Sequence, residues 1–404
     1  MRRVIATLLA LAAVLAGAAP AAAISESGLT SIIAREMRKA PAASGAYVRD
    51  MNTGAELYAL RENAVRIPAS VEKLFTTSAA LLRLGPSDTL ATRAVVAPDA
   101  VIEADGTLRG DLVLVGGGDP FFGDAAAAQL ATSVQAAGIR RIAGAVVGDE
   151  TAFDSRRSGC CMGYDPDLGG VLSALAYDRG IFRGRAQLDA AAFAAARFAA
   201  QLKAAGVTPT GKSRAGVAAE GSRILASVES LSIGEMARYI NVPSNNFAAE
   251  MLFRELGAQY RDEGSRATGA DVVRDTLDDF GVHPKIVDGS GLSRSNRATP
   301  RQVVRLLERM HNQDIAQSFR ESLAVTGVTG TVKARMLRSA AAGRCDVKTG
   351  TLWRVSALAG YCRTADGRDI GFALMSNKAN VPAAKAREDR IAVAIARLGA
   401  KRAR

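Results

Sequence analysis

The sequence predicts an α/β (α+β) fold, an antiparallel sheet flanked by helices and interrupted by an inserted β-rich region. Three observations predict it. Strand-like runs stand near both ends of the chain, at 45–48 and 56–60 and again at 346–350, 357–363 and 370–376. Helical patterns lie between and beside them, at 70–84, 300–310 and 383–398. From about Thr89 the texture turns to short apolar runs broken by turn signals, and mixed helix returns only near Ser232.

The elements follow from local chemistry. Gly45-Ala46-Tyr47-Val48 and Glu56–Leu60 flank the turn Asn52-Thr53-Gly54. Small and apolar residues fill 70–84, and Gly85-Pro86 stops that helix. Asp105-Gly106 and Gly117-Gly118-Asp119-Pro120 are turns around runs such as Leu112–Val115. Ala125–Ala137 reads as a small-residue helix with Asp124 as its N-cap. Ala143–Gly148 reads as a strand and Ala190–Ala205 as an alanine-rich helix. Ser232-Ile233-Gly234-Glu235 has the form of a capping box opening a helix to about Ile240. A further helix is expected over Asn246–Leu256, with Gly257 as its stop. The expected organisation is a discontinuous main domain, 24–92 with 229–404, carrying an insert of one or two domains at 93–228.

Composition bounds the class. The chain has 404 residues, 48% hydrophobic and 23% charged, which is ordinary globular material. Its net charge of +12 suits an anionic partner, whether nucleic acid, a membrane face or an acidic wall polymer, and equally reflects an arginine-rich proteome. No nucleic-acid motif stands out and aromatics make up 5%, so no nucleic-acid partner is expected.

The N-terminus points to export. Met1-Arg2-Arg3 is positive, Val4–Ala16 is apolar, and Ala21-Ala22-Ala23 offers a cleavage site, so residues 1–23 are read as a signal peptide. The apolar run is shorter than the ~18–20 residues that span a bilayer. A periplasmic chain without a stable membrane anchor is the expectation. Four cysteines fit an oxidising compartment. Cys345 and Cys362 lie on two neighbouring strands and suit a cross-strand disulfide, whereas Cys160 and Cys161 are adjacent and pair only with strain. Three connectivities remain open. Only His283 and His311 are present, so neither a zinc site nor a Ser-His-Asp triad is expected, and no cofactor is.

Three strings carry the chemistry: Ser70-Val71-Glu72-Lys73, Ser244-Asn245-Asn246 and Lys348-Thr349-Gly350. Each alone has an ordinary reading, as a helix start with an exposed lysine, a helix N-cap, or a strand ending at a glycine turn. Those readings do not explain their order along the chain. On a helix, residues three apart share a face, so Lys73 reaches Ser70. A serine hydroxyl becomes a nucleophile when a base takes its proton. Lysine serves as that base only when neutral, a state favoured by burial or by a nearby cation such as Lys348.

Two other patterns are set aside. Gly206–Ser213 matches the phosphate-binding G-x-x-x-x-G-K-S pattern. That motif needs a strand before it and a helix after it, and here a helix precedes while Arg214–Gly221 is not helical. Gly116-Gly117-Gly118 lacks dinucleotide-binding spacing.

Taken together, the three strings fit the pattern of class A β-lactamases and penicillin-binding proteins. The chain resembles the D-alanyl-D-alanine carboxypeptidase/endopeptidase family, the type-4 low-molecular-mass penicillin-binding proteins. Further marks are Pro68-Ala69, Gly116-Gly117-Gly118-Asp119-Pro120, Asp288-Gly289-Ser290-Gly291-Leu292-Ser293-Arg294 and the Gly-Thr segment 327–335. Lys348–Leu352 running on into Val355–Gly360 is another. The resemblance implies a penicillin-binding/serine β-lactamase-like transpeptidase fold. It implies that Ser70 attacks the penultimate D-alanine carbonyl and Lys73 takes its proton. Ser244 would pass a proton to the leaving amine, and Asn246 would hold Lys73. Lys348 and Thr349, with Gly350, would recognise the terminal carboxylate, and the N–H groups of Ser70 and Thr351 would form the oxyanion hole. The implied partners are peptidoglycan stem peptides and β-lactam antibiotics. One departure is Asn245, where the second motif usually reads Asp. Two other readings remain open on sequence grounds: a β-lactamase or esterase of the same superfamily, and a non-catalytic wall-binding protein.

Overall fold

A computed structural model describes residues 23–159 and 163–399. The signal-peptide reading and Cys160-Cys161 therefore lie outside the described residues, apart from Ala23.

The central sheet has six antiparallel strands. Their order is Ala324–Val325, Cys345–Leu352, Val355–Arg363, Asp369–Asn377, Ser44–Asp50, Glu56–Leu60. The two ends of the chain thus meet in one sheet. Side chains alternate between its faces. Ala46, Val48, Leu358 and Cys362 point to one layer, where helices Glu26–Arg38 and Val381–Ala396 bring Leu29, Ile33, Ile391 and Ile395. Tyr47, Ala357, Ala359 and Tyr361 point to the other, against Leu74, Phe75, Leu252, Val304 and Leu307. Burial on both faces explains why these strands read as continuous apolar runs rather than as alternating ones.

The segment between Ala91 and Glu229 carries its own five-stranded sheet. The order is Arg214–Ala215, Val146–Asp149, Leu112–Val115, Ala91–Val96, Arg223–Glu229. Leu112–Val115 pairs in parallel with Val146–Asp149 and antiparallel with Ala91–Val96. Helices Asp124–Ala136 and Ala190–Ala204 bury Leu130, Val134, Phe198 and Leu202 against Leu112, Leu114 and Val146.

Several local expectations are corrected. Gly257 does not stop its helix, which runs from Asn246 to Arg261 and ends at left-handed Asp262. A Cβ at 257 would collide with Thr268 Oγ1, so the missing side chain lets helix Arg266–Asp278 cross closely. Asp124 sits inside the first turn rather than capping it. Its carboxylate accepts hydrogen bonds from Tyr177, Arg197 and Gln201 instead. The capping box at Ser232 and Glu235 forms as its sequence predicts. After Gly206 come the short strands Thr208–Pro209 and Arg214–Ala215, so the apparent phosphate-binding string lacks its helix. Cys345 and Cys362 are opposite one another in the strand register and are joined by a disulfide.

Candidate active site

The expected helix over 70–84 begins differently. Ala69–Glu72 is a 3-10 turn, and the α-helix starts at Lys73. In a 3-10 turn residues i and i+3 eclipse one another. This brings Lys73 Nζ to 3.1 Å from Ser70 Oγ. Ala69 enters the turn at φ 50, a left-handed conformation that costs a residue with a Cβ about 1 kcal/mol or more. Two glycines leave room for it. A Cβ at Gly350 would lie 2.6 Å from Pro68 O, and one at Gly291 would collide with Ala69 O.

Ser244 and Asn246 come from the junction of helices Ile233–Asn241 and Asn246–Arg261. Asn245 caps the second helix, accepting from Ala248 N. Asn and Asp cap about equally well. The departure from the usual Asp therefore falls on a structural position. Ser244 adopts a left-handed φ of 65, which turns its side chain to the second lysine. Lys348 Nζ donates to Ser244 Oγ at 2.9 Å and to Thr349 O at 2.9 Å. Asn246 Oδ1 accepts from Lys73 Nζ at 2.8 Å, and its Nδ2 donates to Asp167 O at 2.8 Å. The Asp167 contact fixes which end of the amide faces the lysine.

Ser70, Lys73 and Asn246 thus form one hydrogen-bonded cluster and Ser244 with Lys348 a second, with the two lysines close enough to interact electrostatically. Thr349 Oγ1 meets Thr331 Oγ1 at 2.8 Å, and Gly350 packs on the Ser70 turn. Thr351 lies exposed one residue further along the same strand. Both lysines are fully buried, while Ser70, Ser244 and Asn246 are half-open to solvent.

Burial sets the charge state. It pushes the Lys73 ammonium down to about 7, against the opposing pull of Asp288, Glu250 and Glu72. Burial also drives Lys348 well below its ordinary value, with the charge of Lys73 adding to the effect. Lys348, expected from the sequence to act as the cation that neutralises Lys73, does not account for the Lys73 shift; burial does, and the charge effect runs from Lys73 to Lys348. Glu72 is fully buried with neither carboxylate oxygen hydrogen-bonded, and burial holds its pKa well above 4.5. Burial raises Glu250 as well, with Asp288 contributing.

Sequence reasoning missed part of this site. Lys73 Nζ also donates to the Ser290 carbonyl. Ser290 N donates to Glu250 Oε1 at 2.8 Å, and Asp288 accepts from Gly291 N and Ser293 N at 2.8 and 2.6 Å. The signal for Glu250 was present: it stands four residues after Asn246, on the same helix face. The Asp167 contact uses a main-chain carbonyl, which leaves no mark in a sequence. An acceptor-rich pocket around a half-neutral amine beside a hydroxyl is equipped for serine acyl transfer.

Comparison with known proteins agrees. The model of the D-Ala-D-Ala carboxypeptidase 3 (S13) family matches residues 28–167 and 167–398. A D-alanyl-D-alanine carboxypeptidase of Actinomadura sp. (strain R39) is 31% identical, covering 88% of this chain and 81% of that protein. Carboxypeptidase DacB of Mycolicibacterium smegmatis is 31% identical over 82% of this chain and 76% of its own. The fold is shared with penicillin binding protein 4 (dacB) of Haemophilus influenzae. That match has a TM-score of 0.76 at 21% identity, covering 88% of this chain and 98% of that one. A second structure of the Haemophilus protein, complexed with a β-lactam, matches with a TM-score of 0.74 over the same shares at 21% identity. With nearly the whole described chain matched, this protein belongs to the D-Ala-D-Ala carboxypeptidase 3 (S13) family.

Proposed function

We propose that the chain is a serine DD-peptidase acting on D-Ala-D-Ala stem peptides of peptidoglycan, as carboxypeptidase, cross-link endopeptidase or both. The observation that carries this reading is the 3.1 Å approach of a buried, half-neutral Lys73 amine to Ser70 Oγ. Lys73 takes the Ser70 proton as Oγ bonds to the penultimate D-alanine carbonyl carbon. The oxyanion is received by the N–H groups of Ser70 and Thr351. Ser244, linked to Lys348, relays a proton to the departing amine, and the C–N bond breaks. Water then adds to the acyl ester, Lys73 again accepting a proton, and Ser70 is restored. Lys348, Thr349 and Gly350 receive the terminal carboxylate, and carboxylate binding returns charge to Lys348. A β-lactam carries the same amide and carboxylate and acylates the same oxygen.

The chain's placement follows from its substrate. Residues 1–23 act as an export signal, and the periplasm is the working compartment. No helix among the described residues is long and apolar enough to cross a membrane. Residues 24–92 and 229–404 form the catalytic unit, with 93–228 inserted. Support for that division comes from the separate core of the insert. The test is incubation with purified muropeptides followed by mass spectrometry. Loss of D-alanine from pentapeptides, or conversion of cross-linked dimers to monomers, is expected. Intact substrates, or turnover that persists in Ser70→Ala, would refute the reading.

A further inference from the structure

A neutral primary amine has two N–H donors and one lone pair. Lys73 Nζ meets three oxygens: Ser70 Oγ at 3.1 Å, Asn246 Oδ1 at 2.8 Å and the Ser290 carbonyl. Two of these are carbonyl oxygens, which only accept. With both N–H groups directed to them, the lone pair is left facing the Ser70 hydroxyl. Without the Ser290 carbonyl, one N–H is free to rotate onto Ser70 Oγ, and the amine then donates where it must accept.

The direction of that carbonyl is fixed by its own peptide plane. In a trans peptide the C=O of one residue and the N–H of the next point opposite ways. The partner of the Ser290 carbonyl is therefore Gly291 N–H, which donates to Asp288 Oδ1 at 2.8 Å. Asp288 is buried, and it also accepts from Ser293 N at 2.6 Å and Asn296 Nδ2 at 2.6 Å. The preceding plane is gripped in the same manner. Ser290 N–H donates to Glu250 Oε1 at 2.8 Å, and the Gly289 carbonyl accepts from Thr76 Oγ1 at 2.9 Å. Gly291 stands at φ 82, where a Cβ would collide with Ala69 O, so the plane sits directly behind the nucleophile turn.

We infer that Asp288 is a positioning residue: by holding Gly291 N–H it aims the Ser290 carbonyl at Lys73 and thereby aims the lysine lone pair at Ser70. The inference rests on Lys73 as the base. Asp288 bonds to Gly291 N, Ser293 N and Asn296 Nδ2 and reaches Lys73 through the Ser290 carbonyl. The titratable groups facing Lys73 are Glu72 on its own turn, Glu250 on the Asn246–Arg261 helix, Asp288, and Lys348 on the facing strand.

The test is the rate of acylation by a fluorescent penicillin from pH 5 to 9.5, with a thermal melt of each variant. Asp288→Ala removes both a charge that holds the Lys73 proton and the acceptor of the Gly291 N–H, and loss of the charge moves the acid limb to lower pH. A purely electrostatic role ends there. Positioning predicts in addition that the alkaline plateau, where Lys73 is neutral in both proteins, falls at least tenfold. A plateau within threefold of the parent overturns the inference, whatever happens to the limb. Thr76→Val, nearly isosteric, loosens the adjacent plane should Asp288→Ala fail to fold. It is expected to lower the plateau threefold or more with the limb unmoved, and an unchanged plateau there counts against the inference. A parent protein that penicillin does not label at Ser70 would instead remove the base assignment itself.

Discussion

Gly350 lies directly against Ser70: a Cβ on Gly350 would stand 3.2 Å from Ser70 N and 2.6 Å from Pro68 O. The strand that carries Lys348 and the turn that carries Ser70 are therefore in backbone contact, and both opposing atoms are main-chain atoms without rotamer freedom. Gly350→Ala is expected to push the turn away by several tenths of an ångström. Small misplacements of a reacting group cost up to ~100-fold in rate. β-Lactam acylation should fall by roughly 10- to 100-fold while the melting temperature changes little. Acylation at the parent rate would show that the contact is not tight.

Lys73 predicts the pH profile. The amine must be unprotonated to accept the Ser70 proton, and burial places its titration at about 7. Hydrolysis of a D-Ala-D-Ala peptide should fall tenfold per pH unit below about 7 and level off above it. A stopped assay over pH 5–9 measures this, and a rate that stays flat down to pH 5 would exclude a titrating lysine base.

Glu72 predicts a stability signature. Its pKa is raised in the folded chain, so the native state holds a proton that the unfolded chain releases near 4.5. Its contribution is therefore intact below pH 4.5 and is lost as pH climbs toward the raised value. Glu72→Gln removes this penalty. The variant should match the parent near pH 4.5 and gain on it as pH rises, by about 1.4 kcal/mol for each pH unit until the raised value is reached. Urea denaturation over a pH series checks this, and a difference that does not vary with pH would contradict it.

The Cys345–Cys362 bridge ties the strand of Lys348 to its neighbour. Replacing both cysteines by alanine should cost about 2–4 kcal/mol of stability. The bridge lies at the start of the strand, with Lys348 three residues on. Acylation at 25 °C should therefore survive while the melting temperature drops. Loss of acylation in a still-folded double variant would mean that the bridge also shapes the site.

Much of this architecture is legible in the residues. The strands of the central sheet announce themselves because buried runs and turn residues are local signals, and Ser232 with Glu235 caps a helix as its spacing predicts. Ser70, Lys73, Asn246 and Lys348 are found because short strings preserve their order. What escapes is long-range geometry. Gly257 reads as a helix stop, yet its role is to admit a neighbouring helix, and only the packed structure reveals which. The 3-10 turn Ala69–Glu72 that carries Ser70 depends on Gly291 and Gly350, which approach Pro68 and Ala69 from distant parts of the chain. The Ser290 and Asp167 carbonyls act through the backbone, which every residue possesses. The depressed lysines follow from burial, a property of the folded site rather than of any motif.

The central claim is that a neutral Lys73 activates Ser70. Its most direct test is mass spectrometry of the intact protein and its peptides after brief exposure to benzylpenicillin at pH 6, 7 and 8. The account predicts a single adduct on the peptide containing Ser70, forming faster with each step in pH and absent from Ser70→Ala. An adduct on another residue, or one that forms equally fast at all three pH values, would contradict it.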